Sequence, residues 1–267
     1  ISFFGGGSDY PEWYKKFGGE VLSTTINKHV YISLRELPNF FNHNLRISYS
    51  AIEEVNKISQ IKHTVVKEAL YKYLGNKNLE IHYDGELPAR SGMGSSSSFV
   101  VGLLNAIKYF TKKTISKKEL AKISLNFEQK ILKEFVGSQD QIAACYGGFN
   151  YIKFQKNNSF KVNPVENNDF KKKLNKNLVL LYTGQQRTAQ LIAKKFVKKL
   201  TNQKKNEIIE LLQCVKESKN IIRNNKPNDF GRLLNESWMI KKRLDKSISN
   251  STIDDMYNLA LKNGALG

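Results

Sequence analysis

The sequence is poor in cysteine and histidine, with two cysteines and four histidines among 267 residues. The cysteines, Cys145 and Cys214, lie outside any CxxC pair and cannot build a disulfide scaffold, and so few histidines disfavour a Cys/His zinc site. No apolar run approaches the roughly 18 residues that a membrane-spanning helix needs. No signal-peptide pattern opens the chain. We therefore expect a reduced, cytoplasmic protein with no membrane partner.

Acidic residues are scarce relative to basic ones. Against 43 Lys and Arg there are 24 Asp and Glu, which gives a formal net charge of +19. Most of the basic residues are lysines, dispersed along the polar faces of predicted helices. This pattern favours solvated helix faces first, a general attraction for ATP and sugar phosphates second, and a nucleic-acid groove least. We therefore expect no nucleic-acid partner.

Hydrophobic residues make up 40% of the chain, enough for a buried core. Their spacing predicts an α+β fold. Predicted strands lie at 21–34, 45–52, 79–83, 149–154 and 178–182, the last of them buried. Predicted helices lie at 60–74, 99–110, 187–200, 204–224, 228–246 and 252–263, and a further helix begins at the Ser116–Glu119 capping box. The Asn- and Lys-rich segment 155–176 is the best candidate for a domain junction.

The strongest chemical signal is the sequence PARSGMGSSSS at 88–98. Gly92 and Gly94 let backbone amides approach a ligand closely. The serines that follow begin a helix, whose unpaired N–H groups and positive dipole end face the loop. A glycine-rich loop that leads into a helix N-terminus is suited to hold phosphate, and serine hydroxyls there can ligate Mg²⁺.

Two common nucleotide motifs do not describe this loop. The GxxxxGK[ST] pattern and its lysine are absent, and a GxGxxG pattern fails at Ser97. A Ser/Gly turn that caps a buried helix is the alternative explanation.

Three motifs together resemble the GHMP kinases, named for galactokinase, homoserine kinase, mevalonate kinase and phosphomevalonate kinase. The loop at 88–98 resembles their central motif, and FFGGGSDY at 3–10 resembles an N-terminal sugar-kinase signature. Glu128, followed by VGSQDQ at 136–141, resembles the stretch that supplies a metal ligand and a catalytic aspartate. The triple glycine and the GSQDQ run are most similar to the branch of heptose 7-phosphate kinases and related sugar 1-kinases.

The resemblance implies ATP and Mg²⁺ as cofactors and assigns roles to individual residues. It implies that Asp140 is catalytic and that Ser96 and Glu128 bind the metal. The residues expected to bind ATP are Pro88, Arg90, Gly92, Met93, Gly94, Ser95, Ser96 and Ser97. The residues expected to bind the sugar phosphate are Gly7, Asp9, Ser138, Thr183 and Arg187.

The chemistry of these residue types agrees with phosphoryl transfer. Asp140 can orient or deprotonate a sugar hydroxyl, and we expect it to be ionised because no neighbouring carboxylate repels it. Arg187 can bind a phosphate bidentately. Structural alternatives stay open: a helix-surface carboxylate for Glu128, a capping residue for Asp140, a turn former for Asp9, and solvent exposure for Arg187.

The resemblance further implies a two-lobed GHMP-kinase-like fold. The N-terminal lobe, residues 1–165, would carry a mixed sheet with helices on one side and bind ATP and metal. The C-terminal lobe, residues 166–267, would be helix-rich and ferredoxin-like. We expect that lobe to be truncated, because the sequence stops where a third glycine-rich motif should begin. At the other end, the basic residue that the family usually carries just ahead of the position of Ile1 is also missing.

The expected activity is ATP-dependent phosphorylation of the anomeric hydroxyl of a sugar phosphate, with a heptose 7-phosphate preferred. Three alternatives are another kinase acting on a hexose, fucose or similar alcohol, a catalytically inactive ligand sensor, and a nucleic-acid-binding module. A homodimer is a hypothesis that the sequence does not test.

Overall fold

The structure, a computed structural model, describes residues 1–88, 91–185 and 189–267, with the backbone alone at 189–192. Arg90 and Arg187 therefore lie outside the described residues. The chain forms two compact units. The first unit comprises Ile1–Ile26, Val136–Gln139 and Gly147–Gly267, and the second comprises Asn27–Phe135 and Asp140–Tyr146. Each unit contains a sheet and helices, so the predicted α+β class is confirmed. The boundary between lobes at residue 165 stays a prediction.

The sheet of the first unit is antiparallel throughout, in the order β1-β2-β7-β8. Its strands are β1 (Ser2–Phe4), β2 (Gly19–Thr24), β7 (Phe149–Phe154) and β8 (Phe160–Pro164). The segment 155–176, predicted to be a junction, instead contains β8 and part of α6 (Asn168–Asn177). Composition alone misled here, because Phe160 and Phe170 are widely spaced among polar residues and yet both are buried.

Helices account for the rest of the first unit. These are α1 (Pro11–Phe17), α6, α7 (Ala189–Phe196), α8 (Lys205–Arg223), α9 (Pro227–Lys242) and α10 (Ser251–Lys262). Helices α8 and α9 pack against β1, where the rings of Phe4 and Phe230 meet edge to face with centroids 4.9 Å apart. The four C-terminal helices predicted from the sequence are confirmed.

The predicted buried strand at 178–182 is wrong. These five residues adopt no regular structure, and their exposed fractions run from 41% at Leu178 to 80% at Val179. An apolar run becomes a strand when another strand supplies hydrogen bonds, and among the described residues no strand pairs with this one.

The second unit holds a mixed sheet in the order β3-β6-β4-β5, with β4 and β6 parallel. Its strands are β3 (Val30–Glu36), β4 (Leu45–Ser48), β5 (Ile52–Val55) and β6 (Leu79–Gly85). The predicted strand 21–34 is therefore two strands, β2 and β3, which lie in different sheets. The predicted strand 45–52 turns back after Ser48 into β5, since Tyr49 N–H donates to the carbonyl of Ala51.

The helices of the second unit are α2 (Thr64–Tyr73), α3 (Ser95–Phe110), α4 (Lys117–Asn126), a π-helical turn (Phe127–Ile131) and α5 (Gln139–Tyr146), which begins in the first unit. Helix α3 packs closely on β3, where a Cβ on Gly102 would lie 3.0 Å from the side chain of Ile32. The Ser116–Glu119 capping box is confirmed, with reciprocal hydrogen bonds of 3.0 and 3.2 Å. In the ranges that the structure describes, no helix is long and apolar enough to cross a membrane.

Candidate active site

The loop at 88–98 leads into α3 as the sequence predicts. Gly94 is the N-cap residue of α3 and lies in the left-handed region, with φ of 72°. Among the described residues, no side chain caps this start of the helix. The first-turn N–H groups of α3 have no partner within an α-helix, so they are available to an anion. Gly92 also has a positive φ, of 76°, which favours glycine at that position. This geometry supports a phosphate-binding role for the loop.

Neighbouring serines of α3 have different surroundings. Ser96 is exposed, whereas Ser97 is buried and its hydroxyl donates to Glu128 Oε2 over 3.2 Å. The sequence assigned Ser96 to the metal together with Glu128. In the structure the direct contact of Glu128 is with Ser97.

Glu128 lies in the π-helical turn and is fully buried, with an exposed fraction of 0%. Its Oε2 accepts hydrogen bonds from Ser97 and from the side-chain amide of Gln141, while its Oε1 is buried and has no hydrogen-bond partner among the described residues. Burial above all, together with the nearby charges of Glu134 and Asp140, raises the pKa of Glu128 to about 7, although the two hydrogen bonds act to lower it. The alternative of a helix-surface carboxylate is therefore wrong.

Asp140 stands in the first turn of α5 with its side chain exposed. Its carboxylate lies against the glycine loop: a Cβ built on Gly94 would be 3.8 Å from Asp140 Oδ2. The expectation that no carboxylate neighbours Asp140 is wrong, because its charge acts on Glu128. Their distance in sequence hid this proximity.

The buried oxygens around Glu128 fit a hard cation. Within the described part of the chain, Glu128 Oε1 and Gln141 Oε1 are both buried without hydrogen-bond partners, which is costly unless a ligand satisfies them. Carboxylate, amide and hydroxyl oxygens are the donors that Mg²⁺ prefers. No cluster of three or more acidic, histidine or cysteine side chains suited to a metal occurs in the described part of the chain. A site here would therefore take most of its ligands from water and phosphate.

Asp9, in the first unit, is almost completely buried, with 1% exposed. Its carboxylate accepts backbone N–H groups from Gly7 at 2.9 Å and Gln139 at 3.3 Å, and its carbonyl accepts the N–H of Ser138 at 2.9 Å. Gly137 lies so close that a Cβ there would be 2.0 Å from Asp9 Oδ2. We call this arrangement the Asp9 clamp, formed by Gly7, Asp9 and 137–139. The clamp fixes the residues that directly precede Asp140 in the chain.

The remaining predicted substrate residues are also in the first unit. Ser138 is buried, and its hydroxyl lies 3.4 Å from the Tyr14 hydroxyl. Thr183 is half-buried and its hydroxyl accepts the N–H of Gln185 over 3.4 Å. Direct contact of these residues, Gly7 and Asp9 with a substrate stays a prediction.

The structure brings the predicted residues together in two groups. In the second unit Gly94 adjoins Asp140, and Ser97 adjoins Glu128; in the first unit Gly7, Asp9 and Ser138 meet in the clamp. The sequence did not predict a role for Gln141, whose side-chain amide donates a hydrogen bond to Glu128, the predicted metal ligand. The GSQDQ run contains this residue, and its position one residue after Asp140 was the available signal.

Known proteins share both the sequence and the fold. Residues 58–148 match the family described as GHMP kinases N terminal domain. A D-glycero-alpha-D-manno-heptose 7-phosphate kinase of Campylobacter jejuni is 29% identical, over 99% of this chain and 81% of its own length. A solved D-glycero-D-manno-heptose 1-phosphate kinase of Bacteroides thetaiotaomicron is 25% identical, with a TM-score of 0.69 over 91% of this chain and 77% of that chain.

More distant kinases share the fold. The mevalonate kinase structure of Methanococcus jannaschii has a TM-score of 0.68 at 19% identity, and the match covers 98% of this chain and 81% of that chain. The family match falls on the segment that contains the glycine-rich loop at 88–98, Glu128 and Asp140. The chain is therefore similar to GHMP kinases in sequence over residues 58–148 and in fold over most of its length.

Proposed function

We propose that this chain is a GHMP kinase, which transfers the γ-phosphoryl group of ATP to the anomeric hydroxyl of a sugar phosphate. D-glycero-D-manno-heptose 7-phosphate is the preferred acceptor, and the 1,7-bisphosphate is the product. The observation that carries the proposal is the meeting of the Asp140 carboxylate with Gly94 at the uncapped start of α3. A phosphate at that helix start would lie beside a group able to receive a hydroxyl proton.

The residues divide the work of phosphoryl transfer. The loop amides and the N-terminus of α3 bind the phosphates of ATP, and Asp140 orients the sugar hydroxyl. Asp140 accepts the hydroxyl proton as the sugar oxygen bonds to the γ-phosphorus and the bond from that phosphorus to the departing ADP breaks. An aspartate is a weak base for an alcohol, so the positioning of the hydroxyl contributes most of its effect. Mg²⁺, when bound, neutralises phosphate charge, and Glu128 with Ser96 or Ser97 would hold it.

Support for the heptose as acceptor is sequence similarity to the Campylobacter enzyme. The names of the two similar heptose kinases differ in the position of the phosphate, 7 in one and 1 in the other. The proposal therefore needs a test that identifies both the sugar and the product.

The test is a coupled ADP-release assay over a panel of acceptors: heptose 7-phosphate, heptose 1-phosphate, free heptose, hexoses, fucose and mevalonate. Phosphorus NMR of the product then locates the new phosphate. We expect the highest kcat/KM with heptose 7-phosphate and a new anomeric phosphate signal. Faster turnover of a hexose, fucose or mevalonate would identify that alcohol as the preferred acceptor. If no acceptor is turned over, the hypothesis of an inactive ligand sensor is favoured.

Asp140→Asn gives the corresponding residue test. The variant should lose about 10²- to 10⁴-fold in kcat, the usual effect of removing a general base, with ATP affinity unchanged. Asp84→Asn is the matched control, an exposed aspartate of the same unit on β6. Retention of more than about a tenth of kcat in Asp140→Asn would contradict the catalytic assignment.

A further inference from the structure

The glycine turn after β1 has one position whose lack of a side chain is not explained by packing. A Cβ on Gly5 would lie 2.1 Å from the carbonyl oxygen of Glu20, and a Cβ on Gly7 would lie 2.7 Å from the side chain of Ile208. Both residues also have positive φ. Gly6 has no positive φ, and its nearest neighbour would be 3.4 Å from a Cβ. Backbone strain and packing therefore leave room for alanine at Gly6.

Three polar groups converge on the open face of Gly6. The position of its missing Cβ lies 3.4 Å from Ser2 Oγ, 3.7 Å from Gln139 Nε2 and 3.8 Å from Lys241 Nζ. They come from three separate segments of the first unit: β1, the start of α5 and the end of α9. Each of them can donate hydrogen bonds, and Lys241 adds a positive charge.

A donor-rich cluster around a bare Cα matches the chemistry of a phosphate. Phosphate oxygens are acceptors, and a lysine ammonium binds them as a compact charge with three donors. Gln139 also directly precedes, in the chain, Asp140, the residue proposed to act on the sugar hydroxyl. Arg90 and Arg187, the cations that the sequence predicted to bind phosphate, lie outside the described residues. Lys241 lies within them.

We propose that Lys241, with Ser2 and Gln139, binds a phosphate group over Gly6. This inference rests on the proposed function and names a specificity residue for it. Two phosphates have the required chemistry: the one that the sugar acceptor already carries, and the phosphoryl group that ATP transfers.

Lys241→Met, which removes the charge and keeps most of the length, is the first test variant, and Gly6→Ala is the second. The added methyl group would occupy the space between the donors without a contact below 3.4 Å, so the fold should be retained. Lys242→Met is the matched control, because this adjacent lysine of α9 lies outside the cluster and pairs with Asp254 over 2.9 Å. Melting temperatures establish that each variant folds.

Calorimetry without nucleotide tests the sugar's phosphate. If Lys241 binds it, Lys241→Met and Gly6→Ala should weaken heptose 7-phosphate binding about 10- to 100-fold, the size of a charge-assisted hydrogen bond. Free heptose should bind both variants as it binds the wild type, and Lys241→Arg should recover part of the loss.

Calorimetry with ADP and aluminium fluoride, which mimic the transferred phosphoryl group, tests the other source. If Lys241 binds that group, heptose 7-phosphate affinity stays unchanged, while affinity for the mimic and kcat with every acceptor fall about 10- to 100-fold. Unchanged binding of both ligands in Lys241→Met overturns the proposal, and so does an equal loss in Lys242→Met. A wild type that phosphorylates no acceptor overturns the proposed function alone, since the binding measurements need no turnover.

Discussion

Glu128 is an ionisable residue whose buried surroundings disfavour its charged form. It is fully buried, and one of its oxygens has no hydrogen-bond partner in the ranges that the structure describes. Burial raises its pKa to about 7, so the protein without metal holds a carboxyl group close to half-protonation at neutral pH. A bound cation would favour the ionised form and satisfy the free oxygen. The arrangement therefore costs stability without the metal and favours metal binding.

We expect Glu128→Gln to stabilise the metal-free protein at high pH. Because the pKa is raised from 4.5 to about 7, the folded state keeps a proton that the unfolded state has lost, and stability falls as pH rises through this window. Glutamine has no carboxyl proton, so the stability of the variant should not fall in this way as pH rises. Its melting temperature in EDTA should exceed that of the wild type at about pH 8 and approach it at about pH 5.

The same variant should lose the stabilisation that Mg²⁺ and ATP give the wild type. Glu36→Gln, an exposed carboxylate on β3, serves as the control and should alter neither curve. An equal difference in melting temperature at both pH values would contradict the buried ionisable role of Glu128.

At the scale of elements, the Asp9 clamp joins the turn after β1 to the residues that start α5. A methyl group on Gly137 would lie 2.0 Å from Asp9 Oδ2, and the segment cannot yield without breaking the hydrogen bonds of the clamp. Gly137→Ala should therefore destabilise the protein by about 1–3 kcal/mol, the usual cost of overpacking a tight site. Unfolding in urea measures this change in free energy.

A double-mutant cycle identifies the cause. Asp9→Ala removes the atoms that the new methyl group meets, so Gly137→Ala should cost less in that background than in the wild type. Strict additivity of the two substitutions would show that Gly137 is needed for some reason other than the carboxylate of Asp9.

The sequence predicts best those elements whose determinants are local. The α3 start follows from Gly94 and the serines, and the α4 start follows from the Ser116–Glu119 capping box. The prediction of a strand at 178–182 is wrong because an apolar pattern does not reveal whether a partner strand exists. Strand β8 was missed for the converse reason: its pairing with β7 is tertiary information.

The site follows the same rule. Motif similarity selects Asp140 and Glu128, but the contact of Glu128 with Ser97 and Gln141 depends on how a π-helical turn, α3 and α5 pack. Lys241 carries no motif signal and stands among many lysines of the sequence. Its place beside Gly6 is visible in three dimensions alone.

At the scale of the whole molecule, the chain is divided in a way that composition does not report. The first unit takes both ends of the sequence and the short segment Val136–Gln139, while Asp140 begins a segment of the second unit. No change in composition marks the peptide bond between Gln139 and Asp140. Contacts among segments distant in sequence define the units. Polar composition does not report such contacts, and for this reason it predicted a junction where β8 and α6 lie.

The charge of the whole chain leads to a kinetic prediction. A net charge of +19 should attract anionic substrates at long range, and salt should weaken that attraction. Raising ionic strength from about 0.01 M to about 0.1 M shortens the screening length from about 30 Å to about 10 Å. We expect kcat/KM for a sugar phosphate acceptor to fall about 3- to 10-fold over this range, while kcat/KM for the corresponding free sugar, with ATP saturating, changes little. Saturating ATP matters because ATP is itself anionic, and its own capture would otherwise impose the same salt dependence on both acceptors. An equal response of the two sugars would show that the field does not assist acceptor capture, and the lysines would then be solvated helix faces.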